Sequence, residues 1–266
     1  MGSTLVRSIW QRSRRFGEPT VGHPVFGYRH AKRLHCCELS FAVVNSIHSN
    51  HPRYTAAIVD LDGTMVDTLG DFQVALNAAM ADLGLDRVGR EFIEHTVGKG
   101  SEHLVRQTLA AVGAPESRFA EAFDRYQHHY DRINGKYADV YDGVIEGLVR
   151  LQANGLALAC LTNKPVAFAK ALLEMKGLAP FFSTVSGGDS FERKKPDPLP
   201  VVRTCEALGS EPSRTLVVGD SVNDAAAARA AGCPVVLVRY GYNHGQPVAE
   251  VDCDGTVDRL DAIDLH

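Results

Sequence analysis

Apolar runs of strand length alternate with helix-length segments from residue 141 to the C-terminus, and this alternation limits what the chain can fold into more than any other feature. After Tyr141-Asp142-Gly143, apolar spacing predicts a helix over 144–154, a buried strand over 156–161, a helix over 166–176 and a short strand at Val185. It then predicts a helix over 200–208, a strand over 215–218, a helix over 225–231 and a strand over 235–238. Strands joined through helices run parallel, because a parallel neighbour is reached only by a crossover, and the crossover helices cover the sheet faces. Ala56-Ala57-Ile58-Val59 reads as one more buried strand upstream. The expected fold is therefore α/β, a Rossmann-like parallel sheet with helices on both faces.

The stretch between that first strand and residue 141 has a different rhythm. Phe72, Leu76, Ala79, Met80 and Leu83 recur at helical spacing up to Gly84, and residues 90–112 and 117–134 continue as helices without a strand signal. An all-helical block inside an α/β chain points to an inserted domain. The expected boundaries are a catalytic core of residues 54–68 and 141–266, and a helical insert of residues 69–140. Residues 1–53 show neither period and fit no element; they are read as a disordered tail, a targeting segment or the product of a start assigned too far upstream.

Composition removes several classes of function. The chain carries a formal net charge of −4, yet residues 1–53 hold eight Lys or Arg against two Glu, so the remainder is markedly acidic and unsuited to nucleic acid. No apolar run is long enough to span a bilayer. The six cysteines (Cys36, Cys37, Cys160, Cys205, Cys233 and Cys253) lack CxxC spacing and suit a reduced, cytoplasmic setting. The expected partner is a small phosphate ester, with neither nucleic acid nor membrane, and the protein itself a monomer or homodimer.

Ligands of an open parallel sheet bind beyond the carboxyl ends of its strands. Three predicted strands deliver polar groups to that rim: Asp60, Asp62, Gly63 and Thr64 follow the first, Thr162, Asn163 and Lys164 the second, and Gly219, Asp220, Ser221, Asn223 and Asp224 the third. Carboxylates gathered in one place repel unless a cation sits among them. Oxygen ligands without His or Cys favour Mg2+, whose natural co-ligand is phosphate. Residues i and i+2 of an extended segment project to one side, so Asp60 and Asp62 can face one substrate. Asp60 can then attack phosphorus while Asp62 protonates the leaving oxygen and later deprotonates water. Gly63 permits a sharp turn, and Thr64 can hold it through its hydroxyl.

Charge on the phosphoryl oxygens needs fixed donors, for which Thr162, Asn163 and Lys195 are the candidates. A lysine preceding proline, as in Lys194-Lys195-Pro196-Asp197-Pro198, is held in an extended loop, which favours Lys195 over Lys194. Thr162 and Asn163 also have a plain reading as caps of the helix opening at Pro165.

Taken in order, Asp60-Leu61-Asp62-Gly63-Thr64, Leu161-Thr162-Asn163-Lys164-Pro165, Lys195-Pro196-Asp197-Pro198 and Gly219-Asp220-Ser221-Val222-Asn223-Asp224 resemble the four motifs of the haloacid-dehalogenase superfamily. The resemblance covers residues 54–266. It implies Asp60 as nucleophile, Asp62 as general acid/base, and Thr162 and Lys195 as phosphate binders. It also implies Mg2+ held by Asp60, the Asp62 carbonyl and Asp220, with Asp224 orienting a metal-bound water or pairing with the lysine. The helical insert would be the cap of such enzymes. Within the superfamily, Gly187-Gly188-Asp189-Ser190 and Val238-Arg239-Tyr240-Gly241-Tyr242-Asn243 are similar to phosphoglycolate phosphatases. By that likeness Thr96-Val97-Gly98-Lys99-Gly100 would be a substrate loop, with Gly98 and Lys99 as contacts. The implied reaction is hydrolysis of 2-phosphoglycolate. A phosphosugar phosphatase, a phosphomutase or an Asp-phosphorylated signalling module are the alternatives.

Overall fold

The computed structural model describes residues 54–265; the expectations for residues 1–53 lie outside it. Its centre is a six-stranded sheet of β1 (Ala56–Val59), β4 (Ala157–Leu161), β5 (Thr184–Ser186), β6 (Thr215–Gly219), β7 (Val235–Val238) and β8 (Gly255–Val257). The spatial order is β5-β4-β1-β6-β7-β8, and every pairing in it is parallel. Because β1 is central, alternate residues must satisfy two apolar layers. Ala57 and Val59 pack with Val144, Leu148 and Leu151 of α5 (Val144–Ala153) and with Leu172 and Leu173 of α6 (Val166–Met175). Ile58 packs on the other side with Val201 and Cys205 of α7 (Leu199–Leu208) and Ala225 and Ala228 of α8 (Val222–Ala231). This two-sided burial explains the unbroken apolar runs of the sequence.

The strand β8 escapes the sequence reading because Gly255-Thr256-Val257 is neither long nor apolar; an edge position asks for little burial. Helix α8 begins earlier than its apolar spacing suggests, at Val222, because Ser221 and Asp224 form a reciprocal capping box that starts the helix.

The helical stretch consists of α1 (Leu69–Asp82), α2 (Arg90–Thr96), α3 (Ser101–Ala111) and α4 (Phe119–Ile133). These helices share an apolar cluster of their own, with Phe72, Leu76, Met80, Ile93, Leu104, Tyr126 and Tyr130 at its heart. The continuous helix expected over 90–112 is interrupted after Thr96. Gly98 and Gly100 there take φ of +106° and +90°, which helical residues do not adopt. Two crossings join the stretch to the sheet, and they pair with each other as the antiparallel ribbon β2 (Val66–Asp67) and β3 (Asp139–Val140). The buried Asp71 carboxylate fastens that junction by accepting the Gly135 and Tyr137 N–H groups.

Candidate active site

Strand order reverses around β1: the chain moves outward through β4 and β5, then returns to the other side with β6. The carboxyl ends of these strands carry Asp60, Thr162 and Asp220, so the crevice expected at a topological switch point is lined by the residues chosen from the sequence. Leu61 is buried in the core, which sends Asp60 and Asp62 to the cavity side. The loop then folds tightly back, with Gly63 N–H donating to Val66 O at 2.9 Å and Val66 N–H to Leu61 O at 3.0 Å. Gly63 has φ +82°, and a Cβ there would stand 2.4 Å from Asp220 Oδ2. Glycine is therefore required by both the turn and the neighbouring carboxylate. The Thr64 hydroxyl, expected to hold its own turn, instead faces Asp220 Oδ1 at 3.5 Å.

Lys195 is buried, whereas Lys194 is exposed. The Lys195 ammonium donates to Leu161 O at 2.8 Å and Asp224 Oδ1 at 2.6 Å, and lies 2.8 Å from Asp60 Oδ1. Asp60 Oδ1 itself is a buried oxygen in an ion pair without an aligned hydrogen-bond donor. Asp224 has two structural duties: Oδ2 accepts the Ser221 hydroxyl at 2.6 Å and caps α8, while Oδ1 holds Lys195. Asp220 Oδ2 accepts the Tyr242 N–H at 2.7 Å. Asn163 uses its amide to brace the site, donating to Gly98 O at 2.9 Å and Lys195 O at 2.8 Å. Both amide hydrogens of its side chain thus have protein acceptors. Thr162 is buried at the end of β4, its hydroxyl accepting the Lys164 N–H at 3.1 Å.

Electrostatics follow from this crowding. Burial, reinforced by the Asp224 and Asp62 charges and only partly offset by Lys195, pushes the Asp60 carboxyl up to about 7. Burial together with Asp224 and Asp60 drives Asp220 well above the usual carboxylate range. Asp224 goes the other way: against the opposing effect of burial, the Lys195 charge and the Lys195 and Ser221 hydrogen bonds hold it below its ordinary value. Oxygens of Asp60, Asp220 and Asp224 come within 4.8 Å of one another, an acidic triad that could hold a metal ion. The donors are all oxygen, one of them lacks a donor, and two of the carboxylates resist ionisation without added positive charge; these residues fit a hard divalent cation. Both Asp224 oxygens are engaged, Oδ1 by Lys195 and Oδ2 by the Ser221 hydroxyl, whereas Asp60 meets Lys195 through Oδ1 alone, which leaves Asp60 and Asp220 as the freer ligands.

The far wall of the cavity comes from the helical stretch: Phe72 of α1, Leu104 of α3, and Tyr126 and Tyr130 of α4, with Val97, Gly98 and Gly100 from the break between α2 and α3. Gly98 is thus in the wall, but Lys99, expected beside it as a substrate contact, is exposed and contributes nothing to the lining.

Residues 57–238 match the haloacid dehalogenase-like hydrolases. This chain belongs to that family. It is 42% identical over 208 residues to the phosphoglycolate phosphatase of Thiobacillus denitrificans, a match that covers 77% of this chain and 92% of the relative. The corresponding enzyme of Nitrosospira multiformis is 43% identical over the same shares. Among solved structures, that of a predicted phosphoglycolate phosphatase from Haemophilus somnus superposes with a TM-score of 0.75 at 31% identity, over 79% of this chain and 96% of that one. Membership in a hydrolase family makes the protein an enzyme, in keeping with the motifs at its strand ends.

Two site residues had no role assigned from the sequence. Lys164 is buried, with its ammonium 2.7 Å from Asp62 Oδ1. Tyr242 accepts the Thr68 N–H at 2.7 Å and donates to Asp67 Oδ1 at 2.9 Å, joining the β6 side of the site to the ribbon. Lys164 lies inside the second motif and Tyr242 beyond the matched residues, and only their three-dimensional neighbours give them work.

Proposed function

We propose that this enzyme hydrolyses 2-phosphoglycolate to glycolate and inorganic phosphate with Mg2+, through a phosphorylated Asp60. The observation that carries the reading is the convergence of Asp60, Asp220, Asp224 and Lys195 at the switch point of the sheet, joined to close likeness with relatives named for that substrate. Asp60, Asp220 and the Asp62 carbonyl would hold Mg2+, which when bound supplies the positive charge that keeps these groups ionised and screens the incoming phosphate.

An Asp60 oxygen attacks phosphorus as the P–O bond to the glycolate oxygen breaks, and Asp62 gives that oxygen its proton. Asp62 then takes a proton from water as the water attacks the same phosphorus, the bond to Asp60 breaks, and phosphate leaves. Thr162, the Asn163 backbone N–H and Lys195 stabilise charge on the phosphoryl oxygens. Lys195 also keeps the nucleophile in register, tied as it is to Leu161 O and Asp224. Residues 69–140 act as a cap whose aromatic wall excludes water during transfer. Among the described residues no helix is long and apolar enough to cross a membrane.

The test is phosphate release from a panel of monoesters with and without Mg2+. Highest kcat/KM for 2-phosphoglycolate, lost on chelation, is expected. A clear preference for a hexose phosphate, or phosphate release indifferent to chelation, would overturn the proposal.

A further inference from the structure

The rim residues described so far handle a phosphoryl group, and none of them accounts for a preference among alcohols. The most conspicuous group in the cavity without an assigned role is Lys164. Its side chain is 2% exposed, and its ammonium has a single hydrogen-bond acceptor among the described residues, Asp62 Oδ1 at 2.7 Å. An ammonium has three hydrogens, so two of them are without a hydrogen-bond acceptor, and Asp62 Oδ1 is shared with the Thr68 hydroxyl at 2.8 Å. The ammonium lies over the rings of Phe72 and Tyr130, whose centroids are 4.6 and 5.0 Å away. Tyr130 is 1% exposed, and its hydroxyl is one of the buried polar atoms without a hydrogen-bond partner.

A buried ammonium with unsatisfied hydrogens and a buried hydroxyl with no partner, both lining one cavity, are costly unless something else completes them. An anion would do so. We propose that Lys164 and Tyr130 form a subsite for a second negative group, a carboxylate, carried on the alcohol part of the substrate. The inference rests on the hydrolase reading above and deepens it. In 2-phosphoglycolate a single carbon separates the carboxylate from the ester oxygen, so the group that serves that oxygen and the group that binds the carboxylate must be neighbours. Asp62 and Lys164 are in contact. Lys99, the lysine expected as a substrate contact, is exposed and is not among the residues lining the cavity. The aromatic wall strengthens the subsite, because a poorly hydrated surround raises the worth of each charged contact.

The experiment compares 2-phosphoglycolate with ethyl phosphate, which has the same ester linkage and no carboxylate. In the intact enzyme the first is preferred; in Lys164→Gln the ratio of the two kcat/KM values falls by about 10- to 100-fold, chiefly through KM for 2-phosphoglycolate. Tyr130→Phe, which removes only the unpartnered hydroxyl, gives a smaller fall of the same sign. Binding is read independently of turnover by calorimetry with 3-phosphonopropionate and propylphosphonate, whose affinity ratio contracts in both variants. Equal losses on both esters, with the affinity ratio unchanged, would mean that Lys164 merely braces Asp62 and would overturn this inference while leaving the hydrolase reading intact. If the unmodified enzyme shows no preference for 2-phosphoglycolate over ethyl phosphate, both fail together.

Discussion

The two walls of the cavity are built on opposite plans. At the sheet rim nearly every polar atom is committed to another: Lys195 to Leu161 O, Asp60 and Asp224, Asp224 to Ser221, Asp220 to the Tyr242 N–H, Asn163 to Gly98 and Lys195. On the helical side the wall is Phe72, Leu104, Tyr126 and Tyr130, with a single buried hydroxyl left without a partner. A cross-linked network of charges holds one arrangement, which suits groups that must meet phosphorus at a fixed angle. An apolar wall contributes shape and dryness. The difference fits the proposed division of labour, in which the parallel sheet would carry the chemistry and the insert would choose the substrate, with Lys164 on the boundary between them.

That division can be broken by substitution. The largest expected effect is for Asp60→Asn, which should lower Mg2+-dependent phosphate release by about 10⁴-fold or more while the protein stays folded by circular dichroism. Turnover surviving in the purified variant would remove the nucleophile from the sheet side altogether. Next, Lys195→Met should lose about 10²- to 10³-fold in kcat for every monoester alike, since it contacts groups common to all of them. A loss confined to one ester would blur the two walls into one.

The pH dependence of stability sharpens the same contrast. Asp60, whose carboxyl is pushed up to about 7, binds its proton more tightly folded than unfolded. Its contribution to stability is therefore complete below pH 4, and is lost as the pH rises through 7. Chelated protein should accordingly lose on the order of 5 °C in Tm between pH 5 and pH 8, and Mg2+ should restore more at pH 8 than at pH 5, with proton release on binding seen by calorimetry. A chelated Tm that rises over this interval would contradict the crowded-carboxylate account. The smallest effect is for Ser221→Ala, which removes half of the α8 capping box and one contact to Asp224. A loss of about 1 kcal/mol in unfolding free energy is expected from chemical denaturation.

Much of the sheet side was legible in the chain. Buried parallel strands announce themselves as short apolar runs, and whatever follows them lies at the carboxyl rim, so Asp60, Asp62, Thr162, Asp220 and Asp224 could be picked out by position alone. Lys195 could be preferred over Lys194 because the proline after it restricts the backbone. The helical side was less legible. Its helices are visible by spacing, but the interruption at Gly98 and Gly100 hides inside a helix-like pattern, and the edge strand β8 has too little apolar content to register. The bracing bonds of the Asn163 amide were hidden because its acceptors, the carbonyls of Gly98 and Lys195, are brought to it only by the fold.

What the chain determined by itself is local and periodic: which segments are strands, where each strand ends, and which carboxylates therefore collect around a cation. Tertiary structure alone decided which charges meet across long separations. Lys164 reaches Asp62, 102 positions away, and rests on rings of Phe72 and Tyr130 from two different helices. The physical reason is that periodicity encodes the face a residue occupies, whereas the partner of a buried charge depends on how two separately formed layers come together, and that geometry is written in no single segment.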